Sequence, residues 1–292
     1  MVNLTSTAVT SIVGQSLATV ADRLRQTTVL IQGPNGGTGA GVIWGATGLI
    51  VTNAHVVPQR QVWATLADGR RFPAQRVAHS LRLDLAALTI AASDLPMVKV
   101  GDASALRVGE LVMALGHPQG QVGATALGIV HATPAIPRWV QADIQLAPGF
   151  SGGPLATLDG HLVGINTLIA GGRGHAIPAR LVTRFLGRGQ DQPYLGVTVH
   201  PQTPSTTAQG TDQVTWRVTQ VVPDSPAARA GLGPGDDLLG INGRRFHHPG
   251  ELADWLDCLV PGQTLTLQVG QRGQVVICIL RVGCPPPQEQ AA

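Results

Sequence analysis

The chain has 292 residues, 43% of them hydrophobic and 13% charged, with a net charge of +3. That length suits about two domains, each with a core of its own, and an aromatic content of 3% leaves Val, Leu, Ile and Ala to build those cores. Lys99 is the only lysine and the arginines are scattered, so the basic balance reads as ordinary surface charge and no nucleic-acid partner is expected. Cys258, Cys278 and Cys284 lack C-x-x-C spacing, which argues against a disulfide framework or a zinc site and for small buried thiols.

The first segment, "TAVTSIVGQSLATV", is apolar enough to imitate a signal peptide but lacks the positive stretch such peptides carry. Val9, Val13, Leu17, Val20 and Leu24 recur at helical spacing instead, which predicts an amphipathic helix within residues 1–26. No apolar run reaches the ~18 residues of a membrane span. The chain as given is therefore expected to be cytoplasmic, or periplasmic or membrane-associated if a targeting segment is missing.

Strand signals follow. "TTVLIQ" (27–32) leads through the loop "GPNGGTGAG" to "VIW" (42–44), and "LIVTNAHVV" (49–57) continues the pattern. Further apolar runs stand at "QVWATL", "AALTIAA", "ELVMAL", "TALGIVHA", "WVQADIQL" and "HLVGINTLI". Short strands with turns between them predict a β-barrel or sandwich. The loop "GGTGAG" precedes a strand and has no following lysine, so it is not a phosphate-binding loop.

A second unit is expected after "GRGQDQP" (187–193). Its "SPAARAG" predicts a short helix capped by Ser225, with Pro226 at its first position and Gly231 at its end. "DLLGINGRRF" predicts a hairpin turning at Asn242-Gly243. A helix with Leu252, Trp255, Leu256 and Leu259 on one face follows, and "TLTLQVGQRGQVVICILRV" predicts a closing hairpin. The adjacent His247 and His248 have no third ligand nearby, so no metal is expected; the tail, 285–292, is expected to be disordered.

The chemistry concentrates in "QLAPGFSGGPLATLDG" (145–160), where Ser151 stands in a turn of small residues. A serine hydroxyl becomes a nucleophile when an imidazole takes its proton, a carboxylate orients that imidazole, and backbone N–H groups face the oxyanion. Gly149 allows a sharp turn that points its own amide and that of Ser151 into one pocket, while Gly152 and Gly153 leave room for substrate and a neighbouring strand. Among nine histidines, His55 is read as ending a strand in "VTNAHVV", where small neighbours let its ring reach outward. Asp84, flanked by apolar residues in "LRLDLAALTI", is a candidate orienter. A purely structural aspartate there stays open, as do Asp102 and Asp143 as rivals.

In this order, "TNAHVV", "DLAAL" and "GFSGGPL" resemble the three catalytic motifs of the HtrA (DegP/DegS-like) serine proteases. The supporting segments "GTGAGVIW", "VGDASALRVGELVMALGHPQG" and "GHAIPARLV" resemble that family too, and the likeness runs from about residue 10 to about 284. It implies a mainly β fold: a chymotrypsin-like double β-barrel over residues 27–190 followed by an α+β PDZ domain over 193–284. It also implies that His55 is the general base, Asp84 its orienter and Ser151 the nucleophile, with Gly149 and Ser151 forming the oxyanion hole. No cofactor and no metal are implied. Residues 1–26 would serve oligomerisation, as a homotrimer. Leu195, Gly196 and Val197 in "YLGV" resemble the family's carboxylate-binding loop, whose amides capture a peptide C-terminus.

The family usually has asparagine before its nucleophile, where this chain has Phe150. Phenylalanine cannot hydrogen-bond through its side chain, so apolar packing must hold the oxyanion loop instead. His175 stands where an aromatic residue is usual, on a strand that walls the primary specificity pocket in this fold. It is expected either to leave an apolar pocket suited to a modest aliphatic side chain or to give that pocket a polar lip. The long insertion between the first strands is missing, as in a compact member with a single PDZ domain. Two functions are implied: an endopeptidase cleaving unfolded or misfolded protein, or a catalytically weak chaperone or adaptor binding peptides through the PDZ unit.

Overall fold

A computed structural model describes residues 6–34, 36–132, 138–187, 193–202 and 214–284, with side chains in the first helix described from residue 14 onward. Contacts cluster into two units, Met1–Leu186 and Gly187–Ala292. The stretch 188–192 and the expected disordered tail lie outside the described residues, as do the side chains of Val9 and Val13.

The first unit opens with helix α1 (Ser6–Gln26). Its Leu17, Val20, Ala21 and Leu24 pack on Met113, Leu115, Ala156 and Leu158, so the apolar stripe read from the sequence is the face that docks. Six antiparallel strands then close a barrel: β1 (Thr28–Gln32), β2 (Thr38–Gly45), β3 (Leu49–Thr52), β4 (Gln61–Thr65), β5 (Arg71–Ser80) and β6 (Leu85–Thr89), in the order β1-β2-β3-β6-β5-β4. Val29, Ile31, Ile43, Ile50, Val62 and Leu88 fill it, none more than 3% exposed. Closure removes every unpaired sheet edge, which a sandwich would leave open.

The second sheet comprises β7 (Lys99–Val100), β8 (Leu111–Gly116), β9 (Ala124–Ala132), β10 (Val140–Asp143), β11 (Pro154–Thr157), β12 (His161–Ala170) and β13 (Arg173–Pro178). It runs β11-β8-β9-β10-β13-β12-β7, and a further pairing of β11 with β12 closes the ring around a second core. Helix α2 (Ala179–Leu186) lays Leu181 and Val182 against Val42, Val51, Leu85, Ile165 and Ile177, which joins residues from both barrels.

Three local expectations need correction. The segment 49–57 is not one strand: β3 stops at Thr52, and the backbone turns through 54–56, which carries His55 off the barrel. The loop "GPNGGTGAG" is shorter than it reads, since β2 already begins at Thr38 and pairs with Gln32. Strand β5 gave no apolar signal because its side chains are largely exposed. Of the thiols, Cys258 and Cys278 are buried, but Cys284 is exposed.

The second unit is a sheet of β14 (Val197–Gln202), β15 (Thr215–Val221), β16 (Asp237–Ile241), β18 (Thr264–Gln271) and β19 (Gln274–Arg281), with β17 (Arg244–Arg245) paired to β16. Helix α3 (Pro226–Arg229) is short, and the Ser225 hydroxyl accepts the Ala228 N–H at 3.2 Å as its N-cap. Asn242 and Gly243 both take positive φ, 49° and 80°, the backbone of a type I′ hairpin turn. Helix α4 (Glu251–Cys258) buries Leu252 and Trp255; Leu259 is buried as well, but lies just past the helix end.

Candidate active site

The site assembles where three turns meet at the barrel ends. After β3, the buried Asn53 donates its side-chain amide to the Asp84 carbonyl at 3.0 Å, and Ala54 N–H reaches the same oxygen at 3.1 Å. This ties the His55 turn to the turn before β6. Asp84 itself has φ 53°, a left-handed conformation that aspartate tolerates better than most residues, and its carboxylate faces His55 as a result.

That carboxylate takes hydrogen bonds from three groups. His55 Nδ1 lies 2.8 Å from Oδ2 and 3.0 Å from Oδ1, the His55 main-chain N–H donates to Oδ1 at 3.1 Å, and Thr167 Oγ1 donates to Oδ2 at 2.5 Å. Burial by itself raises the Asp84 pKa, but the bonds from the His55 ring, the Thr167 hydroxyl and the His55 N–H outweigh it and leave it below the usual carboxylate value. An ionised carboxylate only accepts, so the His55 proton resides on Nδ1 and Nε2 presents a lone pair. Asp102 instead caps a short turn through Ser104, and Asp143 is exposed on β10 opposite Ile129. The structure brings neither rival to His55.

Ser151 follows β10 in a turn pressed against both barrels. Its carbonyl accepts Ala40 N–H at 2.8 Å, and Gly152 N–H donates to Asn166 O at 2.8 Å. A Cβ at Gly152 would lie 2.1 Å from the Ala40 carbonyl, and one at Gly153 would lie 2.1 Å from the Leu115 carbonyl. The room those glycines leave is thus filled by neighbouring strands of the chain rather than by space for substrate. Among the described residues, the N–H groups of Gly149 and Ser151 donate to no acceptor within the chain, whereas that of Phe150 donates to Ala147 O at 3.1 Å.

Gly149, Ser151, His55 and Thr38 line one cleft of about 310 Å³. Within it the Ser151 hydroxyl donates to the Thr167 carbonyl at 3.2 Å, and no hydrogen bond joins it to His55. A rotation about the Cα–Cβ bond would redirect the hydroxyl, and such contacts often tighten only when substrate is bound. Thr167, which sequence reading did not single out, thus touches two of the three: its hydroxyl holds Asp84 and its carbonyl holds Ser151. Only its position just past the buried Asn166 in "GINT" could have marked it.

Beside the cleft, a second pocket of about 240 Å³ is lined mainly by apolar groups, including Leu146, Pro148, Phe150, Leu168 and Ile169. His175 is not among its lining residues. It pairs with Leu168 across β12 and β13, and its ring meets Trp139 edge-on at 6.3 Å. The polar lip expected from it is absent. Phe150 is 5% exposed and belongs to the second-barrel core with Leu106, Val112, Ala114, Ile144 and Leu155.

In the second unit, Gly196 has φ 76° and packs so closely on Ser225 that a Cβ would lie 2.2 Å from the serine Cβ. Its carbonyl accepts Val222 N–H, and the Leu195 carbonyl accepts Ala227 N–H, both at 2.8 Å. The amides of Leu195 and Gly196 donate to no acceptor among the described residues. Val197 begins β14, an edge strand of the sheet.

Comparison with known proteins gives two family matches: a trypsin-like peptidase domain over residues 39–165 and a PDZ domain over residues 217–269. A probable periplasmic serine endoprotease, DegP-like, of Marinomonas sp. (strain MWYL1) is 37% identical, covering 76% of this chain and 51% of that protein. The putative serine protease HhoB of Synechocystis sp. is 33% identical over 82% of this chain and 64% of its own length. The chain thus spans between about half and two thirds of these curated relatives. Among solved structures, a form of the HtrA-type protease AlgW with a tripeptide is 30% identical, covers 93% of this chain and 98% of that one, and has a TM-score of 0.60. The serine endoprotease from Yersinia pestis is 28% identical with a TM-score of 0.61, over 92% of this chain and 98% of its own.

Proposed function

The chain belongs to the HtrA (DegP-like) family of trypsin-like serine proteases with a PDZ domain, and from that premise we propose that it is a serine endopeptidase acting on unfolded or misfolded protein. The observation that carries this reading is the 2.8 Å bond from His55 Nδ1 to Asp84, with Ser151 and its unengaged amides lining the same cleft. Ser151 Oγ attacks the scissile carbonyl while His55 Nε2 takes its proton; Asp84 keeps the ring in the right tautomer and stabilises the imidazolium that forms. The N–H groups of Gly149 and Ser151 receive the oxyanion, an interaction typically worth ~3–4 kcal/mol per donor. His55 then protonates the leaving amine, and water releases the acyl-enzyme.

The apolar pocket beside Ser151 suits an aliphatic side chain of modest size on the acyl side of the cleaved bond. The free amides of Leu195 and Gly196, continued by the start of β14 at Val197, suit a peptide C-terminal carboxylate whose chain adds along β14. Residues 1–26 are assigned to assembly, as a homotrimer. The description of the Marinomonas relative favours a periplasmic address; no helix among the described residues is long and apolar enough to cross a membrane.

A fluorophosphonate probe and casein cleavage test the assignment together. Labelling and proteolysis by the wild type, both lost in Ser151→Ala, support it. Absence of labelling with peptide binding intact would make the chain an adaptor of protease fold.

A further inference from the structure

The segment "GHPQGQVG" (116–123) leaves β8 through a turn with unusual backbone demands. Gln119, Gly120 and Gly123 all have positive φ, at 52°, 78° and 76°. Two short-range bonds lie within it, from Gly120 N–H to the His117 carbonyl at 3.2 Å and from Gln121 N–H to the Pro118 carbonyl at 2.9 Å. It lies directly behind the nucleophile loop: a Cβ on Gly149 would sit 2.6 Å from the His117 carbonyl and from Pro118 Cα.

His117 is the residue that ties the two together. Its main-chain N–H donates to the Gly149 carbonyl at 2.9 Å. The next N–H along, that of Phe150, donates to Ala147 O at 3.1 Å. The peptide unit joining Gly149 to Phe150 is therefore pinned at both its oxygen and its hydrogen. With that plane fixed, and Phe150 anchored in the core, the N–H groups on either side of it are set by the backbone alone. These are the amides of Gly149 and Ser151, which find no acceptor among the described residues.

The His117 side chain explains why the turn stays in place. His117 is 1% exposed, and its Nδ1 accepts the Gly123 N–H at 3.1 Å, closing the turn from its first residue to its last. Accepting there puts the ring proton on Nε2, a buried atom that meets no acceptor at full hydrogen-bond geometry among the described residues, the Val29 carbonyl interacting with the ring without making such a bond. Burial lowers the pKa to about 4 against the raising effect of the Val29 carbonyl, so the ring is neutral and can accept at neutral pH. Arg25 of α1 lies over Gly123, where a Cβ would be 2.4 Å from its Nε, and so covers the closing bond. A core imidazole with one nitrogen unsatisfied is a costly way to fill space; an acceptor at that point in the turn is what it supplies.

We propose that His117 is a positioning residue of the protease: its imidazole locks the 117–123 turn, so that its main-chain N–H holds the Gly149 carbonyl and aims the Gly149 and Ser151 amides at the oxyanion. The inference rests on the proteolytic reading of Ser151. It is separate from the triad, since His117 touches neither substrate nor the reacting atoms.

The test compares His117→Leu, which fills the site but cannot accept, with His117→Asn, whose Oδ1 can occupy the place of Nδ1. Steady-state cleavage of a peptide substrate, fluorophosphonate labelling and hydrogen exchange of residues 147–152 are measured on the full chain. His117→Leu is expected to lose about 100-fold in kcat, the scale of one misdirected oxyanion donor, with KM within about twofold because the substrate pocket is untouched. Its loop amides should exchange faster, and His117→Asn should recover most of both losses. Wild-type kcat and exchange in His117→Leu would overturn the proposal. So would equal impairment of the two variants, which would mean that ring packing and not the acceptor matters. If wild type itself failed to label, the proteolytic reading would fall, and the exchange comparison would still decide whether His117 holds the loop.

Discussion

Replacing Phe150 by the family's usual asparagine is expected to inactivate this chain rather than improve it. The Phe150 side chain is 5% exposed among Leu106, Val112, Ala114, Ile144 and Leu155, none of which offers a side-chain hydrogen-bond partner. Removing a buried phenylalanine costs about 3–5 kcal/mol. Leaving the new amide unsatisfied in that cluster adds about 1–3 kcal/mol, for a sum of roughly 4–8 kcal/mol against a typical domain stability of about 5–15 kcal/mol. A cheaper outcome is for residue 150 to leave the core and reach water. Gly149 and Ser151 would then swing with it, and each misplaced oxyanion donor costs about 100- to 1,000-fold in kcat. Thermal unfolding and the rate of fluorophosphonate labelling separate the contributions, with Phe150→Leu as a control that keeps most of the apolar volume. The leucine variant should label within about tenfold of wild type, because repacking within an apolar site costs on the order of 1 kcal/mol. Phe150→Asn labelling at the wild-type rate, with an unchanged melting temperature, would refute the claim that burial of this ring holds the loop.

Thr167→Val removes the hydroxyl that donates to Asp84 Oδ2. A hydrogen bond to a charged group contributes about 1.5–3 kcal/mol, so kcat/KM should fall at least about tenfold with casein binding unchanged, and an unaltered kcat/KM would show that the two His55 contacts suffice. His117 predicts a pH dependence of stability. Its folded pKa is lowered from 6.5 to about 4, so between those values the unfolded chain binds more protons. The stabilisation is complete above pH 6.5 and is lost as pH falls towards 4, by about 3 kcal/mol in all. The lowered pKa of Asp84 acts below that window, since its contribution is lost only as pH drops below the ordinary carboxylate value of 3.8. Urea denaturation at pH 7 and pH 4.5 should show a smaller difference in His117→Asn than in wild type; equal differences would assign the slope elsewhere. Gly196→Ala places a Cβ 2.2 Å from that of Ser225 at a φ of 76°. Fluorescence anisotropy should then show weakened binding of a labelled peptide with a free apolar C-terminus, and casein cleavage by isolated turnover at Ser151 should persist; undiminished binding would move the carboxylate site away from Leu195–Val197.

What could be read from the chain itself was local in origin. The Ser225 cap, the Asn242-Gly243 turn and the docking stripe of α1 depend on residues within one or two turns of each other, where backbone geometry and side-chain periodicity decide the outcome. Ser151 stood out for the same reason, because the small residues around it reveal a tight turn, and His55 because small residues beside it leave its ring free, although the turn that carries it read as the end of a strand. Strand β5 escaped notice because its exposed, mixed side chains carry no burial pattern, although barrel closure requires it.

Tertiary structure decided whatever depends on atoms far apart in sequence. Asp84 is separated from its rivals by a bond to His55 across 29 positions and another to Thr167 across 83. His175 reads as a pocket residue, yet its ring packs edge-on against Trp139, and Leu168 and Ile169 line the pocket instead. Phe150 shows in sequence only that it cannot hydrogen-bond; that it replaces a polar contact by burial in the second barrel is a property of the packed fold. Composition and spacing fix which groups are available and which turns they form. Where a carboxylate points, and whether a ring meets water or a core, depends on the sum of long-range contacts, and that sum exists only once the barrels close.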